Sequence, residues 1–136
     1  MVHDSWTRSN ATEVLVYFYG TCSALKSEGV ICSQGETYWS MLELIVKMQN
    51  DLKELFPSGN LIVLNFSLSC ISVSYGVVGT PTYPNGHIGY FICSKDSNND
   101  VTIPKRTPGS DMELKYYSEA LHKASFVHPK FVSDAL

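Results

Sequence analysis

The chain has no stretch of about 18 apolar residues, so no membrane-spanning helix is expected. Its first residues include His3, Asp4, Arg8 and Asn10 and lack the apolar segment of a secretory signal. Compartment therefore stays open between the cytoplasm and secretion after removal of a signal. Basic runs are missing too: Lys105-Arg106 is the only adjacent basic pair, and the formal net charge is −3. A phosphate backbone would meet weak repulsion, so nucleic acid is not an expected partner.

Metal and cofactor signatures are equally absent. The four cysteines, Cys22, Cys32, Cys70 and Cys93, form no C-x-x-C pair, which argues against a structural zinc site. His3, His87, His122 and His128 include no pair at i, i+4, the spacing that puts two imidazoles on one helix face, and no metal site is expected. The glycines make neither G-x-x-x-x-G-K-[ST] nor G-x-G-x-x-G ahead of a helix, so no nucleotide cofactor is indicated. Glu36, Glu43, Asp51 and Glu54 fall mainly on the polar side of the first helical pattern, and no buried acid pair for glycosidase-like chemistry is indicated.

What is present is a chain long enough for one core: 136 residues, 44% hydrophobic and 12% aromatic. Residues 1–11 are polar and unpatterned and read as a flexible tail; residues 12–136 read as one domain. Thr12 to Tyr19 is β-branched and aromatic, the mark of a covered strand. Ser33-Gln34-Gly35-Glu36 reads as a capping box, predicting a helix that starts there and runs to Phe56-Pro57, with Tyr38, Met41, Leu42, Ile45, Met48 and Leu52 on its apolar side. Residues 60–79 alternate apolar and polar but change phase at Cys70-Ile71, which predicts a bulge at Ser69–Ile71.

A hairpin connection follows at Thr80–Gly86, then a strand at His87–Ser94 and a short strand at Val101–Ile103. Ser110–Glu113 reads as a second capping box, opening a helix to about Ser125. The tail from Phe126 reads as an edge strand or an extended segment. The expected class is α+β: a mostly antiparallel sheet of four to five strands with two helices on one face. If the tail pairs, the order becomes β-α-β-β-α-β, the ferredoxin-like arrangement.

Three functional readings follow. The first is a non-catalytic binding or assembly module, taking a protein partner or a second copy of itself. Its contacts would be Trp39, on the side of the first helix away from Ile45, and Tyr83, at the hairpin tip, because aromatic side chains with polar tips are enriched in contact surfaces. The second is a small cysteine-dependent enzyme. Cys22 follows a strand end and Gly20, where backbone amides can stabilise a thiolate, and His87 or His122 would be its base. The bland alternatives are a buried thiol at Cys22 and a His122 that complements the C-terminal end of its helix. The third is a secreted recognition domain with Cys22 bridged to Cys32.

Overall fold

The computed structural model describes residues 20–21, 24–54, 72–96 and 98–136. The strand expected at 12–19, Cys22, Cys70 and the bulge at Ser69–Ile71 lie outside the described residues.

A turn closed by the Gly29 amide on the Lys26 carbonyl leads into β1, Val30–Gly35. Helix α1 spans Tyr38–Glu54, β2 spans Ser72–Gly79 and β3 spans His87–Ser94. Two short helices follow, α2 at Glu119–Ala124 and α3 at Lys130–Ser133. The sheet order is β1-β3-β2, with β3 antiparallel to both neighbours. β1 and β2 therefore run parallel to each other, on either side of β3.

Strand alternation assigns the faces. Ile31, Val73 and Cys93 share one row, and Ser33, Tyr75 and Phe91 the next. This face carries the core, where Ile31, Tyr75, Phe91 and Cys93 pack with Tyr38, Ile45 and Leu52 of α1 and Val132 of α3. The apolar side read from the sequence of α1 is thus the side it buries. Tyr90 projects from the opposite face and lies over Gly76, where an added Cβ would come within 2.6 Å of the phenol ring. The end of α2 meets the sheet there: Phe126 packs edge-on against Tyr90 at 5.8 Å, and Tyr90 Oη and Ser125 Oγ lie 2.5 Å apart. Ser125 Oγ donates its one proton to the His122 carbonyl, so Tyr90 is the donor to Ser125. Burial of the Tyr90 phenol raises its pKa.

Three expectations are corrected in these elements. Ser33 and Gly35 lie within a strand instead of starting a helix, because Val30-Ile31-Cys32 pairs with Cys93 and its neighbours on β3; α1 begins only at Tyr38. Val101–Ile103 is a turn, held by the Ile103 amide on the Asp100 carbonyl and by the Thr102 amide on the Asp100 carboxylate. The second capping box opens no helix. Met112, Leu114, Tyr116 and Tyr117 are exposed, so an amphipathic helix there would have nothing to bury its apolar side. The helix starts six residues after Glu113, at Glu119, where Ser118 Oγ accepts from the Leu121 amide at 3.1 Å.

The tail makes α3 and buries Val132 instead of adding a strand. With β1 found where a loop was expected, and with helical segments reaching both faces of the sheet, the ferredoxin-like order does not arise.

Candidate functional site at the carboxyl edge of the sheet

Because β1 and β2 are parallel, their carboxyl ends, Gly35 and Gly79, emerge at the same edge of the sheet, together with His87 at the amino end of β3. Open α/β sheets place ligands at such an edge, where the chain leaves a strand for a helix. Here it leaves β1 through Glu36 and Thr37 and enters α1 at Tyr38-Trp39. Met41, with φ −134° and ψ 30°, kinks the first turn of α1.

The edge is built on Tyr75. Its ring passes over Gly35 and Gly89, and its hydroxyl donates to the Glu36 carbonyl at 2.5 Å. Burial is the main reason its pKa lies far above that of an ordinary tyrosine, with the charges of Tyr38 and Glu36 adding to the rise. Tyr75 therefore stays protonated and keeps donating. Thr37 Oγ1 and His87 Nε2 share a hydrogen bond of 2.7 Å, and the His87 ring lies 4.6 Å from that of Tyr38. On the α3 side, Phe131 packs 5.6 Å from Trp39 and 6.0 Å from Tyr38.

Above this platform is the β2–β3 hairpin. The Thr80 amide bonds the Gly86 carbonyl at 2.9 Å, and Gly86 sits at φ +70°, a conformation that glycine takes without steric cost. Asn85 Nδ2 donates to Ser40 Oγ at 3.4 Å and ties the loop to the first turn of α1. Tyr83 in that loop is 48% exposed and Trp39 is 59% exposed. Glu36 is exposed as well.

Trp39, Tyr83 and His87 thus belong to one edge. His122 is elsewhere: its Nε2–H donates to the Val101 carbonyl at 3.1 Å, and its ring packs against Tyr117 and Phe126. Cys22 lies outside the described residues. Cys32 is a free, exposed thiol on β1, so the bridge to Cys22 is not formed. Partial desolvation raises its pKa above that of an ordinary thiol, which reduces its thiolate fraction near neutral pH. Cys32 should therefore react with iodoacetamide more slowly than a model thiol at pH 8, and the gap should narrow as pH rises. Mass-spectrometric rate measurement checks this, and a faster rate would contradict it.

Among the described residues, no group of three or more His, Cys, Asp and Glu side chains is placed to hold a metal ion. No helix among them is long and apolar enough to cross a membrane. Three parts of the edge were missed in the sequence. In the sequence Glu36 reads as part of a helix cap, Tyr75 as one of a set of aromatics suited to contact surfaces without being singled out, and His128 as one of four histidines without metal-binding spacing. The signal available for Glu36 was Val30-Ile31 followed by Gly35, a short strand ending on glycine.

Residues 7–103 match the family model described as the spermine/spermidine synthase domain. The chain belongs to the spermine/spermidine synthase family. The polyamine aminopropyltransferase of Bacillus subtilis is 36% identical over 120 residues, covering 88% of this chain and 38% of that protein. The spermidine synthase of Schizosaccharomyces pombe is 35% identical over 123 residues, covering 88% and 37%. That of Dictyostelium discoideum is 33% identical over 114 residues, covering 84% and 35%. The chain thus spans between 35% and 38% of the length of these relatives. The crystal structure of the Thermotoga maritima spermidine synthase superposes with a TM-score of 0.62 at 23% identity, over 89% of this chain and 38% of that one.

The fold is therefore that of the spermidine synthases, a methyltransferase-like Rossmann fold in which the described residues supply a three-stranded sheet. This replaces the ferredoxin-like expectation. It also overturns the reading of the chain as a non-catalytic binding module, since the family is one of enzymes named for aminopropyl transfer and polyamine synthesis. The missing signatures misled that reading.

Proposed function

We propose that this chain forms the amine-binding side of an aminopropyltransferase that acts on polyamines. The observation that carries the reading is the gathering of an exposed carboxylate, Glu36, with the exposed rings of Trp39 and Tyr83 at the carboxyl edge of β1. Polyamines are flexible cations. A carboxylate attracts their ammonium groups, and aromatic faces receive the charge and the methylene chain together.

In the transfer, the lone pair of an amine nitrogen attacks the first carbon of the aminopropyl group. The bond from that carbon to the leaving group breaks, the leaving group departs with the bonding electron pair, and the nitrogen gives up a proton to solvent. A site that holds the acceptor in line supplies most of what this reaction requires. Glu36 holds a cationic nitrogen of the acceptor away from the attacking one, while Trp39 and Tyr83 border the chain between them. His87 enters this reading as a group that fixes Thr37 and the start of α1, not as the partner of a thiol.

The test is formation of the longer polyamine from spermidine and an aminopropyl donor, followed chromatographically. Glu36→Gln is expected to raise KM for the amine about tenfold with kcat within about threefold, the loss of one charge-assisted contact. Tyr83→Ala is expected to raise KM about threefold through the lost ring face. An amine KM unchanged in both variants would remove this edge from the acceptor site.

A further inference from the structure

His128 lies in the segment between α2 and α3, outside every contact proposed above for the amine. Its Nε2–H donates to the backbone carbonyl of Tyr75 at 2.9 Å. A carbonyl only accepts, so the proton must sit on Nε2. Nδ1 is buried with no hydrogen-bond partner among the described residues, so the ring is held through Nε2. The imidazole also packs against the Tyr75 ring, tilted by 34° with centroids 5.5 Å apart, and meets Tyr38 edge-on at 6.3 Å. Pro129 follows it, and α3 then drives Val132 into the core, so its position is set by the tail's own packing.

The other end of Tyr75 is the hydroxyl bonded to the Glu36 carbonyl. One tyrosine therefore joins two anchors: His128 holds its backbone and ring, and its phenol holds the backbone of Glu36. We infer that His128 is a positioning residue for the amine-binding edge, acting through Tyr75 to fix where the Glu36 carboxylate stands. The inference rests on the acceptor-site reading given above and adds that the C-terminal segment braces that site. Without the imidazole donor, the Tyr75 carbonyl loses its partner and the ring loses one wall, so the phenol has more than one way to lie over Gly89. Glu36 then samples several positions, and an acceptor must select one of them on binding.

The experiment compares spermidine affinity by isothermal calorimetry in the wild-type chain, His128→Phe, His128→Gln and Tyr75→Phe. His128→Phe keeps an aromatic wall but has no donor; His128→Gln restores an N–H donor without a ring. His128→Phe is expected to weaken binding about fivefold, the loss of one hydrogen bond's worth of positioning, while His128→Gln stays within about twofold of wild type. Tyr75→Phe deletes only the hydroxyl that holds Glu36 and is expected to weaken binding by a similar factor. Combining it with His128→Phe should add little, because both act on one contact.

Absence of spermidine binding in the wild-type chain would defeat the acceptor-site reading itself. Normal wild-type binding with His128→Phe unchanged, or with His128→Gln as weak as His128→Phe, would overturn the positioning role alone. If His128→Phe does not fold, Tyr75→Phe decides: wild-type affinity in that variant overturns the proposal, and weakened affinity with an unchanged melting temperature supports it.

Discussion

Replacing Gly89 by alanine is expected to destabilise the chain by on the order of 2–4 kcal/mol and to weaken amine binding at the same time. Gly89 sits in the central strand, paired with Gly35 on one side and Val77 on the other. A Cβ there would overlap both the Tyr75 hydroxyl and the Glu36 carbonyl, and would lie 2.6 Å from Tyr75 Cε2. Those two oxygens are the partners of the hydrogen bond that holds the edge, so the methyl group cannot be accommodated by moving one flexible side chain. Either β3 shifts against both neighbours or the phenol leaves Glu36. Urea unfolding followed by fluorescence gives the stability, and spermidine affinity measured below the transition gives the second effect. Wild-type values for both would show that the tyrosine does not occupy this path.

Phe91→Ala is expected to cost more, about 3–5 kcal/mol, the usual range for deleting a fully buried phenylalanine. Phe91 is completely buried in the central strand, and its ring lies 5.2 Å from that of Tyr75. It also supports Gly35, whose added Cβ would meet the Phe91 ring at 3.2 Å. The cavity would open beneath the carboxyl end of β1. Spermidine binding should therefore fall even under conditions where the variant remains folded. Phe91→Leu, which refills most of the volume, should recover more than half of the lost stability. A cost for Phe91→Ala below about 1 kcal/mol would place this ring outside the cooperative core.

The two variants mark where sequence patterning succeeds and where it stops. The apolar positions of α1 and the strands at Ser72–Gly79 and His87–Ser94 were legible because period 3.6 and period 2 are sustained over whole elements. Val30–Gly35 was not, because six residues ending in a serine, a glutamine and a glycine resemble a helix cap as closely as a strand. Only its pairing with β3 decides between them. The second helix was overextended for a related reason: a capping box supplies local hydrogen bonds, yet a helix of this length is held by what its apolar side covers. Met112 and Leu114 are exposed.

The site was legible in part. Trp39 and Tyr83 read from the sequence as aromatics not needed by a core, and both are exposed at the carboxyl edge of β1. The sequence offers them as contacts for a partner; under the proposal above they contact an amine, which leaves no spaced motif. Tyr75 and His128 are separated by 53 residues in sequence, and their hydrogen bond depends on α3 folding back over the sheet. No periodicity reports that kind of contact. Nor does any motif mark Gly89, which is needed where the tyrosine approaches the strand closely.

The central claim is that the carboxyl edge of β1, with Glu36, Trp39 and Tyr83, receives a polyamine. The most direct measurement is a spermidine titration of the isotopically labelled chain followed by NMR. Saturable shifts are expected at the Glu36 amide, the Trp39 indole N–H and the Tyr83 ring, with His122 and Val101 unmoved. Shifts that never saturate, or that spread over exposed carboxylates such as Asp100 and Glu119 and spare Trp39 and Tyr83, would contradict it.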